Sequence, residues 1–154
     1  MRLTESQERA VKSSKHLSVT ASAGSGKTTV LIEKYIKTLE ELINSVPAPT
    51  DDFSDIVESI VVITFTEKAG SELRKRATEA IEKRIKEAMD ANDIDELRKF
   101  EKLRDAMPSA VIGTIHSFCA SNFPPRPVKN LNIRTPKSIY TLFIISNHKK
   151  FYLF

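Results

Sequence analysis

The stretch Ala21-Ser22-Ala23-Gly24-Ser25-Gly26-Lys27-Thr28 decides the fold that this chain of 154 residues is expected to adopt. It fits the pattern G-x-x-x-x-G-K-[ST] of phosphate-binding loops, with the small residue Ala21 at the first glycine position. The flanking residues predict a short buried strand at 16–20 and a helix at 27–44. This strand–loop–helix order is the context in which the pattern indicates a nucleotide site. The alternative is a turn rich in glycine and serine that happens to precede a lysine.

The residue types of the loop suit a triphosphate. Gly24 and Gly26 allow the backbone to turn so that successive N–H groups converge on one anion at a helix N-terminus, where the helix dipole favours negative charge. Lys27 is expected to reach the β- and γ-phosphates, and the Thr28 hydroxyl is expected to bind Mg²⁺. Lys27 and Thr28 are therefore the predicted catalytic residues, and Thr28 is the predicted metal ligand.

A glutamine precedes the loop in the segment Leu3-Thr4-Glu5-Ser6-Gln7-Glu8-Arg9-Ala10-Val11, which predicts a short capped helix. The Gln7 carboxamide supplies one donor and one acceptor, which is the combination that N6 and N7 of adenine require. The same side chain forms a capping box with Thr4, and that interpretation needs no ligand. With adenine as the base, the predicted cofactors are ATP and Mg²⁺. The predicted nucleotide-binding residues are Gln7, Ala21, Ser22, Ala23, Gly24, Ser25, Gly26, Lys27, Thr28 and Thr29.

Two further strands alternate with helices along the chain. Residues 60–63 form a continuous β-branched run, which is typical of a strand buried on both faces of a parallel sheet. A long helix is expected from Glu67, with apolar residues at a spacing of four. The other expected elements are a strand at 110–114, helices at 94–106 and 116–123, and a surface connection at 45–59. This alternation predicts an α/β fold with a parallel sheet flanked by helices.

Polar and aromatic residues follow each of these two strands. Ligands of open α/β sheets gather at the carboxyl ends of the strands. Hydroxyl and imidazole groups can bond a sugar–phosphate backbone, and a phenylalanine ring can stack on a base. Alternatively, the phenylalanine belongs to the core and the threonines cap the next helix. The predicted nucleic-acid-binding residues are Thr64, Phe65, Thr66, Thr114, His116 and Ser117.

Four segments in this order resemble the UvrD/RecB family of superfamily 1 DNA helicases, and more closely its RecB- and AddA-like branch. They are L-x-x-x-Q-x-x-A-V, A-S-A-G-S-G-K-T, T-F-T-x-K-A and T-x-H-S-F-C, and the resemblance covers residues 2–119. It implies a RecA-like P-loop NTPase domain, incomplete with about three strands, in which Gln7 contacts adenine. It also implies ATP-dependent helicase or translocase activity on single-stranded DNA in recombination or repair, with other helicase–nuclease subunits as partners. Gly70 replaces the alanine more usual in the family, which is expected to weaken the start of its helix by roughly 1 kcal/mol.

Hydrolysis in that family needs an apolar strand that ends in Asp-Glu, together with arginines from a second RecA-like domain. The Asp-Glu pair of this sequence, Asp95-Glu96, follows a polar turn and predicts the start of a helix instead. Residues 1–120 are therefore expected to be a partial helicase ATP-binding domain that does not turn over alone. Residues 121–154 are expected to be a basic tail unrelated to the family, and out of frame. The chain is thus interpreted as an amino-terminal piece of a helicase.

Composition excludes several other classes. The net charge is +4, and all acidic residues lie at or before Asp105, so the basic excess belongs to the tail. The single cysteine, Cys119, excludes an internal disulfide and fits a reducing compartment; it is expected to be a buried small hydrophobe. No apolar run approaches the ~20 residues of a membrane span. With no signal peptide visible, a cytoplasmic protein without a membrane partner is expected.

Three alternatives to the helicase fragment stay open. The first is a stand-alone module that binds ATP or single-stranded DNA without turnover, with the basic tail supplying phosphate contacts. The second is a small P-loop kinase, in which the segment from Thr114 to Cys119 would have no evident purpose. The third is a non-functional truncated product.

Overall fold

The computed structural model describes residues 3–13, 17–20, 22, 24–45, 52–122, 140–143 and 150–153. The helices are α1 (Glu5–Lys12), α2 (Lys27–Ser45), α3 (Ser54–Glu58), α4 (Glu67–Asp90), α5 (Ile94–Ala106) and α6 (Ile115–Asn122). The strands are β1 (Leu17–Thr20), β2 (Ile60–Thr64), β3 (Val111–Thr114), β4 (Tyr140–Phe143) and β5 (Lys150–Leu153). A 3₁₀ turn, Met107–Ser109, leads into β3. None of the helices in these ranges is long and apolar enough to cross a membrane.

Strand β2 is the centre of a parallel sheet with the order β3-β2-β4. Thr64 pairs with Thr114 of β3, and Ile60 pairs with Tyr140 of β4. Every residue of β2 is buried, as the β-branched run predicted. The expected α/β arrangement, a parallel sheet flanked by helices, is therefore confirmed for β2 and β3. Tyr140–Phe143 forms the strand at one edge of this sheet.

The prediction that the first strand joins this parallel sheet is wrong. β1 pairs with β5 in an antiparallel two-stranded sheet, with Leu17 opposite Leu153. The backbone N–H and C=O groups of β1 find their partners in β5. The side chains of Leu17 and Val19 are nevertheless partly buried against the main hydrophobic core.

The core lies between the sheet and the helices α2, α4 and α5. Tyr35 and Leu39 of α2 are almost fully buried, as are Ile81 of α4 and Leu103 of α5. The spacing of four predicted for α4 is confirmed, because the buried residues on that helix recur as expected. They include Leu73, Ala77, Ile81 and Ile85.

The second part of the expected surface connection at 45–59 forms a short helix instead. α3 covers Ser54–Glu58, and residues 46–51 lie outside the described part of the chain. Val57 is fully buried and Phe53 nearly so, which explains why this segment packs as a helix despite its polar composition. The carboxylate of Asp52 accepts a hydrogen bond from the Ser54 N–H at 2.8 Å and fixes the entry into the helix.

The interpretation of Asp95-Glu96 as the start of a helix is confirmed. Both residues lie in the first turn of α5, whose N-cap is Asp93. The Asp93 carboxylate accepts the Glu96 N–H at 3.1 Å. The pair is thus part of a helix cap on the surface and does not end a buried strand.

Gly70 has a packing role that the sequence did not reveal. A Cβ atom at this position would lie 3.2 Å from the Cα of Gly113 and 3.4 Å from the Thr64 hydroxyl oxygen. The missing side chain therefore allows the first turn of α4 to approach the end of the sheet closely. Arg74, one turn later, donates to the carbonyl of Ile112 at 3.1 Å and joins α4 to β3.

Candidate nucleotide-binding site

The loop between β1 and α2 is a compact turn whose glycines have left-handed backbone conformations. Gly24 has φ 77° and Gly26 has φ 78°, values that residues with a side chain rarely adopt. The Ser22 carbonyl accepts the N–H of Ser25 at 3.3 Å and the hydroxyl of Ser25 at 2.7 Å. Ala21 and Ala23 lie outside the described residues. The two glycines therefore adopt the conformations for which the sequence pattern requires them.

Lys27 begins α2 directly after this turn. Its ammonium group donates to the Ser22 carbonyl at 2.5 Å, so the side chain folds back over the loop. Thr28 and Thr29 follow in the first turn and are half-buried. The first turn of α2 carries no acidic residue, so the positive end of the helix dipole is left for an external anion.

The Gln7 side chain connects α1 to the loop. Its Oε1 atom accepts the Thr4 N–H at 2.9 Å, and Thr4 Oγ1 accepts the Gln7 N–H at 3.4 Å, so the predicted capping box is confirmed. Its Nε2 atom also donates to the Ser25 carbonyl at 3.1 Å. One N–H and one lone pair of the carboxamide remain for a ligand. The capping box and adenine recognition, which the sequence offered as alternatives, are therefore chemically compatible.

Lys34 holds α1 against α2, and sequence reasoning missed it. Its ammonium group donates to the carbonyls of Ser13 at 2.5 Å and Val11 at 3.2 Å, at the end of α1. Burial lowers the pKa of Lys34; Glu41 opposes this shift, and Lys37 adds to it. A small apolar cluster of Ala10, Val11 and Val30 lies at the same junction. These contacts hold α1 where Gln7 reaches the loop.

The two threonines that end β2 and β3 are brought together but face inward. Thr64 and Thr114 are register partners, and only 3% and 6% of their surfaces are exposed. The Thr64 hydroxyl donates to the Thr66 carbonyl at 2.9 Å, and the Thr114 hydroxyl donates to the Glu67 carboxylate at 2.6 Å. Glu67 is a further residue of this region that the motif did not single out. Both hydroxyls are thus used inside the protein.

The other predicted nucleic-acid contacts are more accessible. Phe65 is 59% exposed, which excludes the interpretation of this ring as core, and His116 is also exposed. Thr66 is exposed and caps α4 by accepting the Ala69 N–H at 3.2 Å, as the alternative interpretation expected. Ser117 is half-buried and donates to the Thr114 carbonyl at 2.9 Å. The carboxyl ends of β2 and β3 therefore present an aromatic ring and an imidazole to solvent.

The prediction that Cys119 is buried is wrong. The cysteine lies on α6 and is exposed. α6 contacts β3 and β2, and the cysteine side chain is open to solvent. The apolar character of cysteine therefore did not predict the exposure of this side chain.

A parallel sheet flanked by helices, with a glycine turn and a lysine at the start of a long helix, makes this an α/β protein, and the arrangement is consistent with a helicase N-terminal domain. The chain belongs to the UvrD/REP helicase N-terminal domain family, whose model matches residues 3–141. The sequence resemblance to UvrD-like helicases is thereby confirmed.

Curated relatives are named as subunits of an ATP-dependent helicase/nuclease. The protein of Pediococcus pentosaceus is 40% identical over 119 residues, which are 77% of this chain and 8% of that relative. The protein of Exiguobacterium sibiricum is 41% identical over 119 residues, 77% of this chain and 9% of the relative. The protein of Desulforudis audaxviator is 41% identical over 106 residues, 69% of this chain and 7% of the relative. The chain thus spans less than a tenth of the length of the relatives that it matches.

Proposed function

We propose that the turn between β1 and α2 binds ATP·Mg²⁺. The observation that carries the proposal is the arrangement of Gly24 and Gly26 in left-handed conformations, with the Lys27 ammonium group folded over the same turn. Loop N–H groups and Lys27 would hold the phosphates, and the Thr28 hydroxyl would be a ligand of Mg²⁺. Mg²⁺, when bound, would neutralise part of the charge of the phosphates. The Gln7 carboxamide, next to the loop, would contact adenine.

This site would belong to the ATP-binding amino-terminal part of an ATP-dependent DNA helicase or translocase with a role in recombination or repair. The family, and the naming of the relatives as ATP-dependent helicase/nuclease subunits, support the proposal. Because those relatives are named as subunits, further helicase–nuclease subunits are the proposed partners. The 154 residues by themselves would bind ATP without sustained hydrolysis, because their sequence contains no apolar strand ending in Asp-Glu.

ATP binding is tested by calorimetric titration of ATP·Mg²⁺ into the wild-type chain and two lysine variants. Lys27→Ala removes the phosphate ligand and is expected to abolish measurable binding. Lys37→Ala, the control, removes a lysine from the same helix that pairs with Glu41 at 3.4 Å, and should leave the affinity unchanged. Equal affinities for Lys27→Ala and the wild type would contradict the proposed site.

Single-stranded DNA would contact the carboxyl ends of β2 and β3. Phe65 supports this proposal, because an exposed ring at a strand end can stack on any base, a contact worth about 1–3 kcal/mol per base. Phe65→Ala is expected to weaken binding of an oligothymidylate about tenfold in fluorescence anisotropy. Met89→Ala removes a comparably exposed apolar side chain (61%) from the far end of α4 and serves as the control. Equal affinities of the two variants would refute the assignment of Phe65.

A further inference from the structure

The carboxamide of Gln7 is held in one orientation by two backbone groups. Its oxygen faces the Thr4 N–H at 2.9 Å, and its nitrogen faces the Ser25 carbonyl at 3.1 Å. The opposite orientation would place two donors together at Thr4 and two acceptors together at Ser25. The hydrogen-bond network therefore fixes which end of the carboxamide is oxygen and which is nitrogen.

We infer that the Thr4 N–H and the Ser25 carbonyl make the site selective for adenine over guanine by locking Gln7. Thr4 is then a positioning residue for base recognition, although it does not itself touch the base. This inference rests on the proposed binding of ATP, and it concerns the discrimination between bases and not the binding of phosphate.

The chemistry follows from the hydrogen-bonding groups that remain on the carboxamide. Because each end already makes one bond, one N–H and one oxygen lone pair are left. Adenine presents an acceptor at N7 and a donor at N6, which match that pair, whereas guanine presents acceptors at both N7 and O6. A carboxamide released from Ser25 could turn and offer both of its N–H groups to guanine. The two hydrogen bonds to Thr4 and Ser25 prevent this rotation, so the carboxamide oxygen of Gln7 would lie against O6 of guanine.

The position of Thr4 allows the lock to be removed without disturbing the chain path. Thr4 has φ −74° and ψ 161°, which proline adopts without strain. Thr4→Pro removes the N–H that Gln7 accepts and also the capping hydroxyl. Thr4→Ala removes only the hydroxyl and keeps the N–H. The difference between the two variants therefore isolates the hydrogen bond to the Gln7 oxygen.

The experiment measures the affinities of the full chain and both variants for ATP·Mg²⁺ and GTP·Mg²⁺ by calorimetry, with far-UV circular dichroism to compare helix content. A bidentate contact gives the wild type about a tenfold or greater preference for ATP. Thr4→Ala and Thr4→Ser are expected to keep that preference, because both retain the N–H. Thr4→Pro is expected to lower it about threefold or more, mostly through tighter relative binding of GTP.

A second pair of variants releases the other end of the carboxamide. A Cβ atom at Gly26 would lie 2.9 Å from Gln7 Nε2, whereas one at Gly24 would have no atom of the described residues within 4 Å. Gly26→Ala is therefore expected to lower the ratio of ATP affinity to GTP affinity more than Gly24→Ala does. If Thr4→Pro loses its helix content, this comparison decides whether the hydrogen bonds of Gln7 set the preference for ATP over GTP.

Three results are distinguishable. A smaller ATP preference in Thr4→Pro than in Thr4→Ala, or in Gly26→Ala than in Gly24→Ala, supports the lock. A wild type that binds ATP, with an equal preference in all folded variants, overturns the inference and leaves the proposed function standing. A wild type that binds neither nucleotide overturns both.

Discussion

Alanine substitutions at the two loop glycines give the sharpest test of how the turn between β1 and α2 is built. Both residues have nearly the same left-handed φ, 77° at Gly24 and 78° at Gly26. An L-residue in this region costs about 1–2 kcal/mol, so both variants are expected to lose that amount. The surroundings of the two positions differ, because among the residues that the structure describes only the Cβ at Gly26 would meet a neighbour, Gln7 Nε2 at 2.9 Å.

That contact sets the expected difference between the variants. The Cβ of Gly26→Ala has to displace the Gln7 carboxamide, which then loses its bond to the Ser25 carbonyl. A hydrogen bond of this kind contributes a net ~0.5–1.5 kcal/mol. Gly26→Ala should therefore be about 1 kcal/mol less stable than Gly24→Ala, or about 2–4 °C lower in Tm for a chain of this size.

The measurement is urea unfolding followed by far-UV circular dichroism, with no nucleotide present. A thermodynamic cycle supplies the control, because in a Gln7→Ala background the Cβ of residue 26 no longer meets the carboxamide. The two glycine variants should then become equally stable. Equal losses in the wild-type background, or a difference that persists without Gln7, would refute the contact between α1 and the loop.

Three further substitutions test the core and the charge environment. Tyr35→Phe should raise Tm or leave it unchanged, because the buried Tyr35 hydroxyl has no hydrogen-bond partner among the described residues; a clear loss in the thermal melt would contradict this. Leu39→Ala should lower the free energy of unfolding in urea by about 2–5 kcal/mol, since the side chain is fully buried. Leu42→Ala should lower it less, because Leu42 is only partly buried. Burial raises the pKa of Glu40 above its ordinary value of 4.5, so stability falls as the pH rises from that ordinary value to the raised pKa and stays reduced above it. Glu40→Gln should therefore raise Tm at pH 7 by a small amount, since Glu40 is half-buried, and this gain should vanish below pH 4.

Local patterns in the sequence predicted the local structure well. The spacing of apolar residues predicted α2 and α4 because one face of each helix has to be buried. The β-branched run of β2 and the capping pair Thr4–Gln7 were recognisable for the same reason, since their physical causes lie within a few residues. The turn with Gly24 and Gly26 belongs to this group.

Features that depend on distant parts of the chain were not predicted. The pairing of β1 with β5 joins residues as far apart as Leu17 and Leu153, and no local pattern specifies it. The bonds from Gln7 to Ser25 and from Lys34 to the end of α1 join a side chain to a backbone carbonyl, which any residue offers. The sequence also does not show whether the hydroxyl of a threonine at a strand end faces solvent or the protein interior. Thr64, predicted as a DNA contact, donates instead to a carbonyl inside the protein.

A thermal melt of the 154-residue chain with and without the nucleotide shows whether the turn before α2 binds ATP·Mg²⁺. At a free ligand concentration of about 100 times Kd, binding adds about 2.7 kcal/mol, which corresponds to a rise in Tm of about 5–10 °C. We expect this rise for the wild type and none for Lys27→Ala. A wild-type Tm that millimolar ATP·Mg²⁺ does not move, or an equal rise in Lys27→Ala, would contradict ATP binding at this turn.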